Sequence, residues 1–411
     1  MIRIPIVAVV WLILAVAYGL FLSFPIFFVP LLEEFHWSRA LTAGAMSTST
    51  VIQAALSPLA GILADRFGTR PVILVGVVFL SSAAVLAGTV HAPWQLYLYT
   101  GVLGAVGLVS LGWVPMATLL SRWFSERRGR VIGTAFSGMG IGLFAIGPLA
   151  QSLIVRFGWR GATMLLGVAA FAVLFPLAWI GVHDAPPSRV TSRVGAAGGK
   201  GVPRATGGAR ADVTLGAALR TRTFWALFGA YFMTPLAVFS VFTHQVAFAV
   251  DLGFSRMLVA SMFGLVGLVS MVGRPIFGSI ADRVGGAAAA TMSFGCTAAG
   301  ALALLALDIH PHVAWLVVYA LIFGLGFGAR GPIITAMAGD LFGGRHFGTI
   351  YGALSVGNGL GSALGPWFAG LMHDVTGSYR VAFMFSVVCC VAGSACFWAA
   401  REPARARAIA A

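Results

Sequence analysis

Stretches of about 20 or more predominantly apolar residues recur along nearly the whole chain, each long enough to cross a hydrocarbon core of about 30 Å. Backbone in such surroundings must satisfy its own hydrogen bonds within each segment, which confines the chain to membrane-spanning helices. Composition agrees: 59% of the 411 residues are hydrophobic and only 9% charged, against roughly 25% charged in an ordinary soluble domain. Arg3, the apolar stretch after it and the small triplet Ala15-Val16-Ala17 imitate a cleaved signal peptide. The apolar run continues to Leu32, too long for that reading, so it is the first span.

The pattern predicts about twelve spans, over 5–32, 41–64, 71–90, 96–120, 131–155 and 162–182, and then over 224–250, 257–281, 287–307, 313–341, 349–372 and 381–400. Residues 1–183 are expected to form one six-helix bundle and 223–402 a second, joined by a Gly-, Pro- and Arg-rich connection over 184–222 with a short surface helix near Thr214. A basic tail covers 403–411. Most of the 26 Lys and Arg lie on the side of the N-terminus, so the positive-inside rule predicts cytoplasmic termini and a cytoplasmic connection in a multi-pass cell-membrane protein, of bacterial inner-membrane type. The formal charge of +14 is spread over short connections rather than gathered in a patch, which argues against a nucleic-acid partner. The four cysteines all lie within apolar runs and form no disulfide framework, metal spacing or redox motif.

The halves repeat each other. Ser38 and Arg39 recur 217 positions on as Ser255 and Arg256, and Glu34 as Asp251. Gly61, Ala64, Asp65, Arg66 and Gly68 recur at the same offset as Gly278, Ala281, Asp282, Arg283 and Gly285. In the fifth and eleventh spans the offset becomes 219, pairing Gly138, Gly140 and Gly142 with Gly357, Gly359 and Gly361. No strand precedes this glycine run and no lysine follows it, so it reads as helix packing rather than a phosphate cradle. Two homologous six-helix bundles are the architecture of carriers that rock one half against the other around a site near the midplane.

The segment from Gly61 to Arg70, with its second copy from Gly278 to Gly285, resembles the loop signature of the major facilitator superfamily. Asp65, Arg66, Asp282 and Arg283 are read as a cytoplasmic gate latch, with a plain solvated turn as the other reading. Three further motifs look like those of the monocarboxylate porter family, which includes bacterial lactate-type carriers and oxalate-formate exchangers. They are Ser121-Arg122-Trp123-Phe124 with Arg127-Arg128-Gly129, then Gly273-Arg274-Pro275, and Asp374-Val375-Thr376-Gly377-Ser378-Tyr379. The resemblance implies transport of small organic anions, often with a proton, and a carboxylate-binding arginine in the eighth span, which falls on Arg274.

The residues support Arg274 independently. An arginine near a span centre costs on the order of 2.5 to 3.5 kcal/mol on insertion scales and needs a partner or an aqueous cavity. Its repeat equivalent is Ser57, so the fold itself demands no charge there. The same reasoning selects Arg330, equivalent to Trp113, and two guanidinium forks at similar depth would suit an anion. A structural role satisfied by backbone carbonyls is the other reading for each. Tyr18, Trp113, Tyr351 and Asn358 are polar or aromatic near span centres and complete the expected substrate site.

All twelve acidic residues fall in loops or near span ends, a bias that favours an anionic cargo over a cationic one. Where proton-coupled animal carriers have an acid four residues before the arginine, this chain has Ser270, and where they have a lysine in the first span it has Ile26. His244 is the remaining titratable candidate for proton coupling, though a lone histidine in an apolar helix is more often structural. The expected activity is alternating-access transport of a small mono- or dicarboxylate by a monomer, by proton symport or anion exchange. Export of hydrophobic drugs or metabolites is the second reading. No enzyme constellation, metal site or cofactor motif is expected.

Overall fold

The computed structural model describes residues 6–124, 128–183, 213–342 and 347–400. Among the described residues, ten stretches are long and apolar enough to cross a membrane. One of them, Val131–Gly181, is two helices joined at Gly158, where φ is +70°. The 30-residue helix Phe347–Thr376 supplies the twelfth span, its run of Gly, Ser and Asn making it less apolar than the others. The chain is therefore an all-α membrane protein with the expected number of spans. The expected connection falls largely outside the described residues, as does the basic tail. The short helix Leu215–Leu219 does form, capped by Thr214, whose hydroxyl accepts from the Ala217 amide.

The repeat seen in sequence is also a repeat in structure. Span two, Arg39–Phe67, and span eight, Arg256–Val284, each start after a serine whose hydroxyl accepts from the amide three residues on, Leu41 and Leu258 respectively. Span one is Ile6–Leu22 followed by Phe24–Phe35, and span seven is Arg222–Phe242 followed by Gln245–Asp251. Span five packs on span one where a Cβ on Gly142 would lie 1.9 Å from the Ala15 carbonyl oxygen, and span eleven packs on span seven where a Cβ on Gly361 would lie 2.1 Å from the Phe232 carbonyl oxygen. Only glycine permits either approach. The glycine run is thus a helix-packing device in both halves.

Spans four and ten, expected to be continuous, are both broken. Span four runs from Pro93, through a π-helical stretch Tyr97–Leu103, to Ser110 and resumes as Trp113–Trp123. Span ten is Val313–Gly326 and resumes as Arg330–Phe342. The resuming residues, Trp113 and Arg330, are repeat equivalents, so the break belongs to the fold. Each break frees backbone groups at mid-depth, tolerated only where protein or a wet cavity satisfies them. The Ser293 hydroxyl meets one such group, donating to the Gly326 carbonyl at 3.1 Å.

The two halves meet along a seam formed by spans two and eleven on one side and five and eight on the other. Small residues set the approach: Gly370 lies against Ala40, Gly359 against Ala54, Gly264 against the Phe144 backbone and Gly267 against the Gly140 carbonyl.

Candidate functional site

Arg274 sits in span eight, on the side that meets the other half. Its Nη1 donates at 3.4 Å to the Phe136 carbonyl of the other half, and its guanidinium lies over Gly328 in the span-ten break. The Tyr18 hydroxyl of span one lies at the span-four break, 3.2 Å from where a Cβ on Gly112 would stand. The Phe136 ring stacks on Trp113, the first residue after the span-four break, with centroids 4.1 Å apart. Half of Trp113 remains exposed. Three residues expected from sequence, Arg274, Tyr18 and Trp113, therefore share one place. Phe136 and Gly328 join them without having been expected, since one contributes a carbonyl and the other the absence of a side chain. The Nε of Arg274 is buried without a partner, and none of its described contacts is to a carboxylate.

Arg330 is not brought to that place. It is 1% exposed and turned into the packing between spans nine and ten. There its Cζ lies 4.3 Å from the Phe294 ring centroid and its Nη1 donates to the Thr297 hydroxyl at 2.9 Å. An aromatic face and a hydroxyl offset part of its desolvation, while Nε and Nη2 stay buried without partners. Tyr351 belongs to a hydroxyl chain in the C-terminal half. Tyr231 and Tyr351 are 3.0 Å apart, Tyr351 and Thr335 are 2.7 Å apart, and Thr335 donates to the Gly331 carbonyl at 3.0 Å. Asn358 is half-buried beside the seam glycines.

A second cluster closes the seam at the end far from the 184–212 connection. Asp374 of span eleven accepts from the backbone amides of Arg39 and Ala40 at 2.9 and 2.8 Å, capping span two from the opposite half. The Arg39 side chain also crosses, to Asp251 at 2.7 Å and to the Tyr379 hydroxyl at 2.5 Å. Its repeat equivalent Arg256 crosses the other way, to Glu33 at 2.5 Å. Arg256 and Glu33 are 41% and 53% exposed, so this pair contributes on the order of 1 kcal/mol or less. The Arg39 cluster is better shielded and dominates the closure. Burial drives the Tyr379 phenol well above its ordinary pKa, which keeps its hydroxyl a donor.

His244 lies behind this cluster rather than beside Arg274. It is fully buried, with Nε2 2.8 Å from the Pro366 carbonyl and Nδ1 3.1 Å from the Tyr379 hydroxyl. A carbonyl can only accept, so Nε2 carries the proton and Nδ1 accepts from Tyr379. Hydrogen bonds then run in one direction from Arg39 through Tyr379 to His244.

Toward the connection end, Leu59, Ile62 and Phe67 of span two are exposed. Arg66 lies with its Cζ 5.3 Å from the Phe67 ring centroid, and Asp282 and Arg283 are exposed. The side chain of Asp65 lies outside the described residues. The far end of the seam is thus closed by hydrogen bonds and ion pairs that cross between the halves.

The family model described as Major Facilitator Superfamily matches residues 10–329 and 290–411. Similar proteins include monocarboxylate transporter 13 of Rattus norvegicus, 28% identical over 390 residues, covering 92% of this chain and 84% of the relative. Monocarboxylate transporter 11 of Homo sapiens is 29% identical over 399 residues, covering 92% and 78%. Among solved structures, a bacterial homologue of the human lysosomal transporter Spinster, inward-facing and unoccupied, aligns with a TM-score of 0.69 at 18% identity, covering 97% of this chain and 98% of that one. A mutant of the nucleoside transporter NupG aligns with a TM-score of 0.76 at 12% identity, covering 97% and 100%.

Proposed function

This chain is a membrane transporter belonging to the Major Facilitator Superfamily, and from that premise we propose that it moves a small mono- or dicarboxylate by alternating access, by proton symport or anion exchange. The observation that carries the reading is Arg274, a guanidinium where the two halves meet, with no carboxylate among its described contacts. A bidentate anion would supply the missing partner. The names of the relatives agree with this cargo class. Tyr18 and Trp113 would flank the anion, with Asn358 and Tyr351 of span eleven as further polar groups, while Arg330 adds positive potential from behind. The exposed face of Trp113 favours a second reading, export of hydrophobic compounds.

The excess of Lys and Arg on one side supports cytoplasmic termini, which would put the Arg39 closure at the outer end. Asp65, Arg66, Asp282 and Arg283 would latch the cytoplasmic end in the opposite state. Reporter fusions after Ala411 and within 184–212 should both score as cytoplasmic, and a periplasmic score at either would reverse the orientation.

The functional test is uptake of labelled formate, acetate, lactate, oxalate and succinate by proteoliposomes, with and without an imposed pH gradient. Saturable uptake of at least one acid is expected, and transport of a hydrophobic dye with none of these acids would sink the reading. If His244 carries the coupled proton, protonating Nδ1 must displace the hydrogen bond from Tyr379, so coupling would act on the far-end closure. His244→Gln should then abolish gradient-driven accumulation while retaining exchange of labelled for unlabelled acid. Undiminished accumulation would remove His244 from the coupling path.

A further inference from the structure

The span-ten break has a feature that the repeat does not dictate. Gly328 adopts φ +76°, a left-handed conformation that favours glycine. A Cβ there would lie 2.8 Å from the Arg274 Nε, 3.0 Å from its Nη2 and 3.3 Å from its Cζ. The Nε–Nη2 edge of the guanidinium therefore rests against bare backbone. One residue earlier on span eight, a Cβ on Gly273 would stand 2.0 Å from the Leu325 carbonyl oxygen, so consecutive residues of span eight are fitted to the two sides of the break. From the opposite half, the Phe136 carbonyl meets the Arg274 Nη1 at 3.4 Å. The span-four break has a parallel contact: a Cβ on Gly112 would lie 3.2 Å from the Tyr18 hydroxyl. The two glycines are not repeat equivalents, because Gly328 corresponds to Leu111 and Gly112 to Ala329. Each sits where its own half's polar group needs it, one register step apart.

We propose that Gly328 is a positioning residue for Arg274: its left-handed, side-chain-free backbone seats the guanidinium and fixes the direction in which the fork faces the seam. The proposal rests on the reading of Arg274 as the carboxylate-binding group. It makes the break in span ten part of the recognition site, because any side chain on this backbone would place a Cβ where the fork now lies.

The test uses full-length purified protein and, as probe, whichever of acetate, lactate, oxalate and succinate the wild type binds most tightly. Gly328→Ala and Gly328→Asn are compared at equal monodispersity. Asparagine enters the left-handed region more readily than alanine and is the variant expected to fold, yet it carries the same Cβ. Both should lose at least tenfold in affinity. In an Arg274→Lys background, which lacks the Nε and Nη2 edge that the Cβ would meet, adding Gly328→Asn should cost less than twofold, a non-additivity that a general folding defect would not produce. Wild-type affinity in Gly328→Asn, or a further tenfold loss on adding it to Arg274→Lys, would overturn the proposal. Wild-type affinity in Arg274→Ala would instead overturn the reading on which it rests.

Discussion

Arg274→Ala is expected to fold, reach the membrane and lose carboxylate binding. Ser57 occupies the equivalent place in the other half, so the backbone there accepts a small residue. Removing the arginine also removes a desolvation cost, because its Nε is buried without a partner and its best described hydrogen bond is a 3.4 Å contact to Phe136. Stability should therefore hold or rise. Binding is another matter: truncating one member of a buried, hydrogen-bonded charge pair costs about 2 to 5 kcal/mol, roughly 30-fold or more in affinity. Arg274→Lys should be impaired as well, because a point charge on a flexible stem does not reproduce a planar fork. Isothermal titration of the purified variants with the tightest-binding acid, alongside uptake, reads both effects. Near-wild-type affinity in Arg274→Ala would move the preference to hydrophobic export.

Arg39→Ala should shift the balance between the two faces of the transporter. The wild-type side chain joins span two to Asp251 and Tyr379 of the opposite half, and hydrogen bonds to charged groups contribute about 1.5 to 3 kcal/mol each when shielded. Asp251 is 46% exposed, which weakens its share through solvent screening. A net loss of about 2 kcal/mol, or roughly thirtyfold in the closed-to-open ratio, is the expected outcome. Spin labels at the exposed positions Leu41 and Met257, on a cysteine-free background, should report longer far-end distances in Arg39→Ala. Arg256→Ala, whose partner Glu33 is more than half exposed, should change little. Equal shifts in the two variants would contradict the ranking, and no shift in Arg39→Ala would remove that residue from the closure.

The parts of the site that could be read from sequence are those whose signal is local. Arg274 stands out because it is a charge in an apolar run, at a position where the repeat shows serine. The repeat glycines announced close packing because they recur at one spacing. Arg330 carried the same signal as Arg274, yet it meets Phe294 and Thr297. Sequence shows that a buried cation needs compensation but not whether a cargo, a ring or a hydroxyl provides it. Spans four and ten read as unbroken because apolar periodicity is blind to two or three residues of altered backbone. His244 was identifiable as titratable, but Tyr379 and Pro366 lie 135 and 122 positions away. The crossing of Arg39 depends on Asp251 and Asp374, 212 and 335 positions away, and no local pattern reveals which of several loop carboxylates it reaches.

Span two begins with two caps of different origin, Ser38 from its own half and Asp374 from the other. When the far end parts, the second cap departs with the opposite bundle while the first remains. The amides of Arg39 and Ala40 then exchange a fixed carboxylate for solvent, and the first turn of that helix becomes freer to fray. Under the proposed alternating access, a rigid-body motion of half the molecule would be written into two backbone protons, whose exchange with deuterium would act as an intrinsic reporter of which way the protein faces.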